Sequence, residues 1–207
     1  ADKRYAAPLV KTWQGPRGPV EVRVLYTPEY ASNAEPVMQA TLDSLAYFSR
    51  TLGAYPYKTV TAVVPPYGAD EAGGMEYPTF FTASSTDDVT PGSINRFMLD
   101  FVTVHEFGHG YFYGILGSNE FEEPALDEGM NEYWDQRMMT ERKQQLRLSN
   151  RWMDKLGIGV SLAPFEMERI SANLHDPADP LGNPSWGRMS SSSYNTVYSR
   201  TATAMRQ

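Results

Sequence analysis

Residues 97–112 read Phe97-Met98-Leu99-Asp100-Phe101-Val102-Thr103-Val104-His105-Glu106-Phe107-Gly108-His109-Gly110-Tyr111-Phe112. From Ser93 onward, Met98, Phe101, Val102, His105, His109 and Phe112 recur at helical spacing, which predicts one helix with these residues on one face. His105 and His109 stand one turn apart on that face, so both imidazoles can reach a single ion. Glu106 projects from the adjacent face, from which it can contact a water on the ion without taking a ligand position. Two of the chain's three histidines and a carboxylate thus fall within five residues of an otherwise apolar helix. Burying such groups unpaired costs roughly 2–7 kcal/mol each, and a divalent cation removes that conflict. The window from Phe97 to Gly117 is apolar enough to raise a membrane span, yet Asp100, His105, Glu106 and His109 interrupt its middle. It reads as the buried helix of a globular domain, with no transmembrane segment.

Glu128 follows His109 after eighteen intervening residues, within a second helix expected from Pro124 to about Leu148. Two His and one Glu leave a fourth tetrahedral position for water, the pattern of a catalytic zinc site. Nitrogen and oxygen ligands admit other divalent ions as well. Glu122, Glu123, Asp127 and Glu132 compete with Glu128 for the third place, and the spacing favours Glu128.

The rest of the chain is that of an ordinary globular domain. Its 207 residues are 41% hydrophobic, enough for a core without staples. The formal charge is −7, and no Lys/Arg cluster of the kind that tracks phosphates is read anywhere in the sequence, which argues against nucleic acid as a partner. The absence of cysteine excludes disulfides and thiolate metal sites and leaves the compartment open.

Up to Pro19 the chain is rich in Pro and Gly and reads as a loop. Val20 to Tyr26 alternates as one strand, and Glu35 to Leu52 forms an amphipathic helix with Pro36 in its first turn and Gly53 beyond its end. Thr59 to Val64, Met75 to Tyr77 and Thr79 to Thr82 supply further short strands. Asp176 to Ser193 reads as an exposed loop, with His175 beside it as a surface residue, and a last helix starts near Asn195. Ten methionines are expected to fill the core. The order, sheet first and helices after, predicts an α+β domain in two lobes with the site in the cleft between them.

These motifs resemble the M1 family of zinc aminopeptidases, which joins a His-Glu-x-x-His helix to a glutamate eighteen intervening residues later. The family's Gly-x-Met-Glu-Asn segment is matched by Gly73-Gly74-Met75-Glu76-Tyr77 except at its last residue. Its Tyr-x-Lys-Gly-Ala is approximated by Tyr198-Ser199-Arg200-Thr201-Ala202. The resemblance runs from about Glu35 to the C-terminus and implies a thermolysin-like catalytic domain over residues 28–207, truncated at its end. Residues 1–27, a loop and a strand, would then be the end of a missing N-terminal β domain.

The resemblance further implies one Zn2+ per chain on His105, His109 and Glu128, with Glu106 as general base. It makes Tyr198 the oxyanion donor, with Tyr194 as the rival tyrosine, and residues 73–77 the substrate-binding strand. Glu76 would hold the free α-ammonium of a peptide substrate. The alternatives are a thermolysin-like endopeptidase, which would not need Glu76, and a non-catalytic binding or scaffold domain.

Overall fold

A computed structural model describes residues 3–174, 179–188 and 190–207. The chain folds as two units, Ala1–Gly110 and Tyr111–Gln207.

The first unit is built on a five-stranded mixed sheet. Its strands are β1 (Leu9–Gly15), β2 (Gly18–Leu25), β3 (Thr59–Val63), β4 (Met75–Tyr77) and β5 (Phe80–Thr82), in the spatial order β1-β2-β3-β5-β4. β1 and β2 are antiparallel, β3 runs parallel to both β2 and β5, and β4 returns antiparallel to β5. Val20, Val22 and Val24 are buried while Glu21 and Arg23 point the other way, the period of two that the pleat imposes. Helix α1 (Ala31–Thr51) packs on β1, β2 and β3. Its Val37, Met38, Leu45 and Phe48 are fully enclosed, each contributing about 1.5–3 kcal/mol by burial.

The structure departs from the sequence reading at residues 9–15 and at the start of the first helix. The segment before Pro19 is no loop: residues 9–15 form β1, whose Leu9, Lys11 and Trp13 are half-buried and alternate with exposed Val10, Thr12 and Gln14. Pro16 and Gly18 belong to the hairpin turn, where Gly18 takes φ +107, and this punctuation hides the alternation beside it. The hairpin also pairs through β2 with β3, so residues 9–25 share one sheet with residues 59–82. Helix α1 begins four residues before Glu35, entered through a 3-10 turn at Pro28–Tyr30. Pro36 therefore lies inside the helix, where its missing N–H removes one ladder bond.

Helix α2 (Ile94–Phe112) closes the first unit. The Ser93 hydroxyl accepts from the Arg96 N–H at 3.1 Å, a side-chain cap on its first turn. Asp100, buried in this helix, is paired with the Arg96 guanidinium one turn earlier at 3.0 Å. Phe107 anchors the helix by stacking on Tyr55 and contacting Phe48 of α1.

The second unit is helical. A π-helical turn (Ala125–Gly129) runs into α3 (Met130–Glu141), followed by α4 (Arg151–Lys155), α5 (Pro164–Leu174), α6 (Ser191–Tyr194) and α7 (Thr196–Arg206). A small ladder of β6 (Leu146–Arg147) and β7 (Ser161–Leu162) brackets α4. Helices α3, α5 and α7 pack on one another.

The helix expected to reach Leu148 stops at Glu141, because Lys143 adopts φ 56 and the following residues enter β6. The stretch expected as an exposed loop is partly interior: Asp179 is buried and accepts from the Ser193 hydroxyl, while Arg200 donates to its carbonyl at 3.1 Å. His175 and Asp176 lie outside the described residues. Met38, Met138 and Met139 are core residues as expected, but Met75, Met98 and Met205 are exposed. No helix among the described residues is long and apolar enough to cross a membrane.

Candidate metal centre

In the first unit, α2 carries His105, Glu106 and His109, all buried. The helical repeat places the two imidazoles edge to face, with their Nε2 atoms 3.2 Å apart. Two nitrogens each about 2.0–2.1 Å from one tetrahedral zinc would stand about 3.3 Å apart, so this pair has the spacing that a shared ion requires. Phe101 lies against His105, their ring centroids 6.1 Å apart and their planes at 29°.

Strand β4 brings a second carboxylate to this helix. Glu76, Glu106 and His109 each offer a ligand atom within 4.8 Å of the other two. Two carboxylates at that range repel one another when both are ionised, so the place favours a cation, whether a metal ion or an ammonium group. Gly74 beside Glu106 takes φ +68, a left-handed backbone that favours glycine. At Gly73 a Cβ would meet the Ala83 carbonyl oxygen at 2.8 Å, so this position also requires glycine. β4 is the edge strand of its sheet, and Met75 and Tyr77 on either side of half-buried Glu76 are exposed. An edge strand is the part of a sheet to which an extended chain can add.

In the second unit, Glu128 lies in the π-helical turn and is buried, as are Asp127 and Glu132, whereas Glu122 and Glu123 are exposed. Exposure removes those two from the competition for a buried ligand place. The Tyr198 hydroxyl donates to Glu128 Oε1 at 2.7 Å, and the Tyr194 hydroxyl donates to Glu120 Oε1 at 2.7 Å. Burial, first, and the adjacent carboxylates, second, push both phenols well above the usual tyrosine range, so each remains a proton donor at neutral pH. The π turn is held against α7 by a close approach at Gly129. A Cβ there would lie 2.4 Å from Thr201 Cβ, so the threonine standing where the resembling motif has glycine is accommodated by the missing side chain opposite.

Deeper in the same unit, Gln136 Nε2 donates to Glu168 Oε1 at 2.7 Å and lies 3.3 Å from Glu132 Oε1, with all three residues buried. Glu132 competes for the third ligand place in the sequence, whereas nothing in the sequence points to Glu120 or Glu168. Tyr194 and Glu120 are 74 residues apart, and no local spacing signals such a partnership.

The fold has recognisable counterparts among solved structures. The M1 zinc metallopeptidase from Deinococcus radiodurans is similar over 98% of this chain and 39% of its own, at TM-score 0.57 and 18% identity. A variant two-domain M1 zinc metallopeptidase bound to L-arginine is similar over 97% and 40%, at TM-score 0.58 and 15% identity. Legionella pneumophila aminopeptidase A in complex with aspartic acid is similar over 65% and 16%, at TM-score 0.53 and 14% identity. The chain thus spans about two fifths of the length of the first two and about one sixth of the third. No protein-family model and no curated protein matches the chain. This mixed sheet followed by a helical part has a fold like that of the M1 zinc metallopeptidases.

Proposed function

We propose that this chain is the catalytic part of a zinc-dependent aminopeptidase, with His105, His109 and Glu128 as the metal ligands. The observation that carries the reading is the buried imidazole pair, whose nitrogens stand 3.2 Å apart beside the carboxylates of Glu106 and Glu76. Zinc held there supplies Lewis acidity to the scissile carbonyl and to the attacking water.

The chain's own residues do the rest. Glu106 takes a proton from the attacking water at a carboxylate oxygen and returns it to the leaving amine nitrogen. Glu76, on the sheet edge, holds the α-ammonium of the substrate, while the β4 backbone pairs with the extended peptide. Tyr198 donates a hydrogen bond to the oxyanion, exchanging its bond to Glu128 Oε1 for the developing charge. That bond favours Tyr198 over Tyr194, whose hydroxyl is engaged by Glu120.

A rival ligand set lies wholly within the first unit, since Glu76, Glu106 and His109 could also surround an ion. Zinc titration separates the two sets. His105→Ala and Glu128→Ala should lose the metal while Glu76→Ala keeps it. Loss of zinc in Glu76→Ala with full retention in Glu128→Ala would overturn the assignment. An endopeptidase would use the same metal set and differ by cleaving peptides with blocked N-termini.

A further inference from the structure

Residues 142–160 read RKQQLRLSNRWMDKLGIGV. They contain Arg142, Lys143, Arg147, Arg151 and Lys155 but a single acid, Asp154, so a segment of net charge +4 lies in a chain of net charge −7. The basic residues do not adjoin as one run but are spread along a segment that the fold closes into one module. The β6–β7 ladder closes the segment at its base, and the Leu148 N–H donates to the Val160 carbonyl at 2.9 Å. Asn150 caps α4 by accepting from the N–H groups of Trp152 and Met153, and the Ile158 N–H returns to the Met153 carbonyl at 3.1 Å. Arg147 bridges to Asp154 at 3.1 Å and occupies the one acid of the segment.

The residues this small module leaves uncovered are apolar. Trp152 is 74% exposed, Leu156 65%, Ile158 56%, Leu148 52% and Val160 50%. Trp152 lies in α4 and Leu156, four residues on, is its C-cap. Lys143, Arg147 and Lys155 are exposed in the same module. A few isolated apolar side chains on a surface call for no explanation, but five at half exposure or more within thirteen residues do.

We infer that this module, residues 142–162, docks on an anionic lipid surface. An apolar patch by itself fits many occupants, and the charge selects among them. A Trp with aliphatic neighbours, in a module that also exposes Lys143, Arg147 and Lys155, matches the headgroup boundary, where the apolar groups enter the acyl region and the cations meet anionic headgroups. Nucleic acid would repay the cations but not five exposed aliphatic and aromatic side chains. The inference does not depend on the peptidase reading, and its test needs neither metal nor substrate.

The test is flotation of the full chain with vesicles of phosphatidylcholine alone, and of phosphatidylcholine with about one third phosphatidylserine, at low salt and at about 0.15 M salt. Binding is expected to the anionic vesicles only and to weaken with salt. Lys143→Glu and Lys155→Glu should each reduce partitioning at least about fivefold. Trp152→Ser with Leu156→Ser should abolish it, while circular dichroism shows an unchanged fold, as expected for exposed positions. Absence of binding to anionic vesicles, or binding indifferent to these substitutions, overturns the inference. So does sedimentation showing a dimer that Trp152→Ser dissolves while vesicles remain unbound, since a second copy would then cover the patch.

Discussion

Adding one methyl group at Gly129 tests how the second unit holds Glu128 beside Tyr198. A Cβ at this position would stand 2.4 Å from Thr201 Cβ, 2.6 Å from its Oγ1 and 2.7 Å from its Cγ2. Carbon atoms in contact sit about 3.5–4.0 Å apart, so the overlap exceeds an ångström and no rotamer of Thr201 relieves the Cβ part of it. Either the π turn or α7 must move. Overpacking of this kind costs about 1–3 kcal/mol, which for a domain of this size lowers Tm by roughly 2–12 °C. Thermal unfolding of Gly129→Ala, alone and combined with changes at 201, reads the effect. Thr201→Gly removes the opposing Cβ and should rescue Gly129→Ala, despite a few tenths of a kcal/mol of lost helix propensity. Thr201→Ala keeps that Cβ and should not. A wild-type Tm for Gly129→Ala, or equal rescue by Thr201→Ala and Thr201→Gly, would refute the packing argument.

Three further outcomes follow from the site. Glu106→Gln should keep zinc and fold while losing about 10²–10⁴ in kcat, because the amide preserves shape but accepts no proton; metal analysis and steady-state kinetics check it. Tyr198→Phe should cost about 10²–10³ in kcat with little change in zinc content, and Tyr194→Phe much less; the reverse ranking would move the oxyanion role to Tyr194. Glu76→Ala should raise KM for peptides with a free N-terminus without releasing the metal, and an unchanged preference for free over acetylated peptides would remove Glu76 from the site.

Much of this was legible in the sequence where a strong period met a chemical pattern. The helix carrying His105 and His109 and the strands of residues 59–82 announce themselves through spacing and β-branched runs. β1 did not, because Pro8, Gly15 and Pro16 crowd its ends and conceal the alternation from Leu9 to Gln14. The end of α3 was overrun because Arg142, Lys143 and Gln144 are good helix formers, and the positive φ at Lys143 is set by the turn into β6. Pairings across long stretches were out of reach: nothing local joins Tyr198 to Glu128 or fits Thr201 against Gly129. The basic, apolar module of residues 142–162 leaves no local signal for a related reason. Its cations are not contiguous, and only the fold shows that Trp152, Leu156 and Ile158 stay uncovered.

The central claim, zinc-dependent removal of N-terminal residues, is tested most directly by comparing hydrolysis of one peptide with its N-terminus free and the same peptide acetylated, with and without a chelator. The account predicts cleavage of the free peptide at its first bond, loss of that cleavage on chelation and recovery with added zinc, and no cleavage of the acetylated peptide. Equal cleavage of both peptides, or hydrolysis that survives removal of the metal, would contradict it.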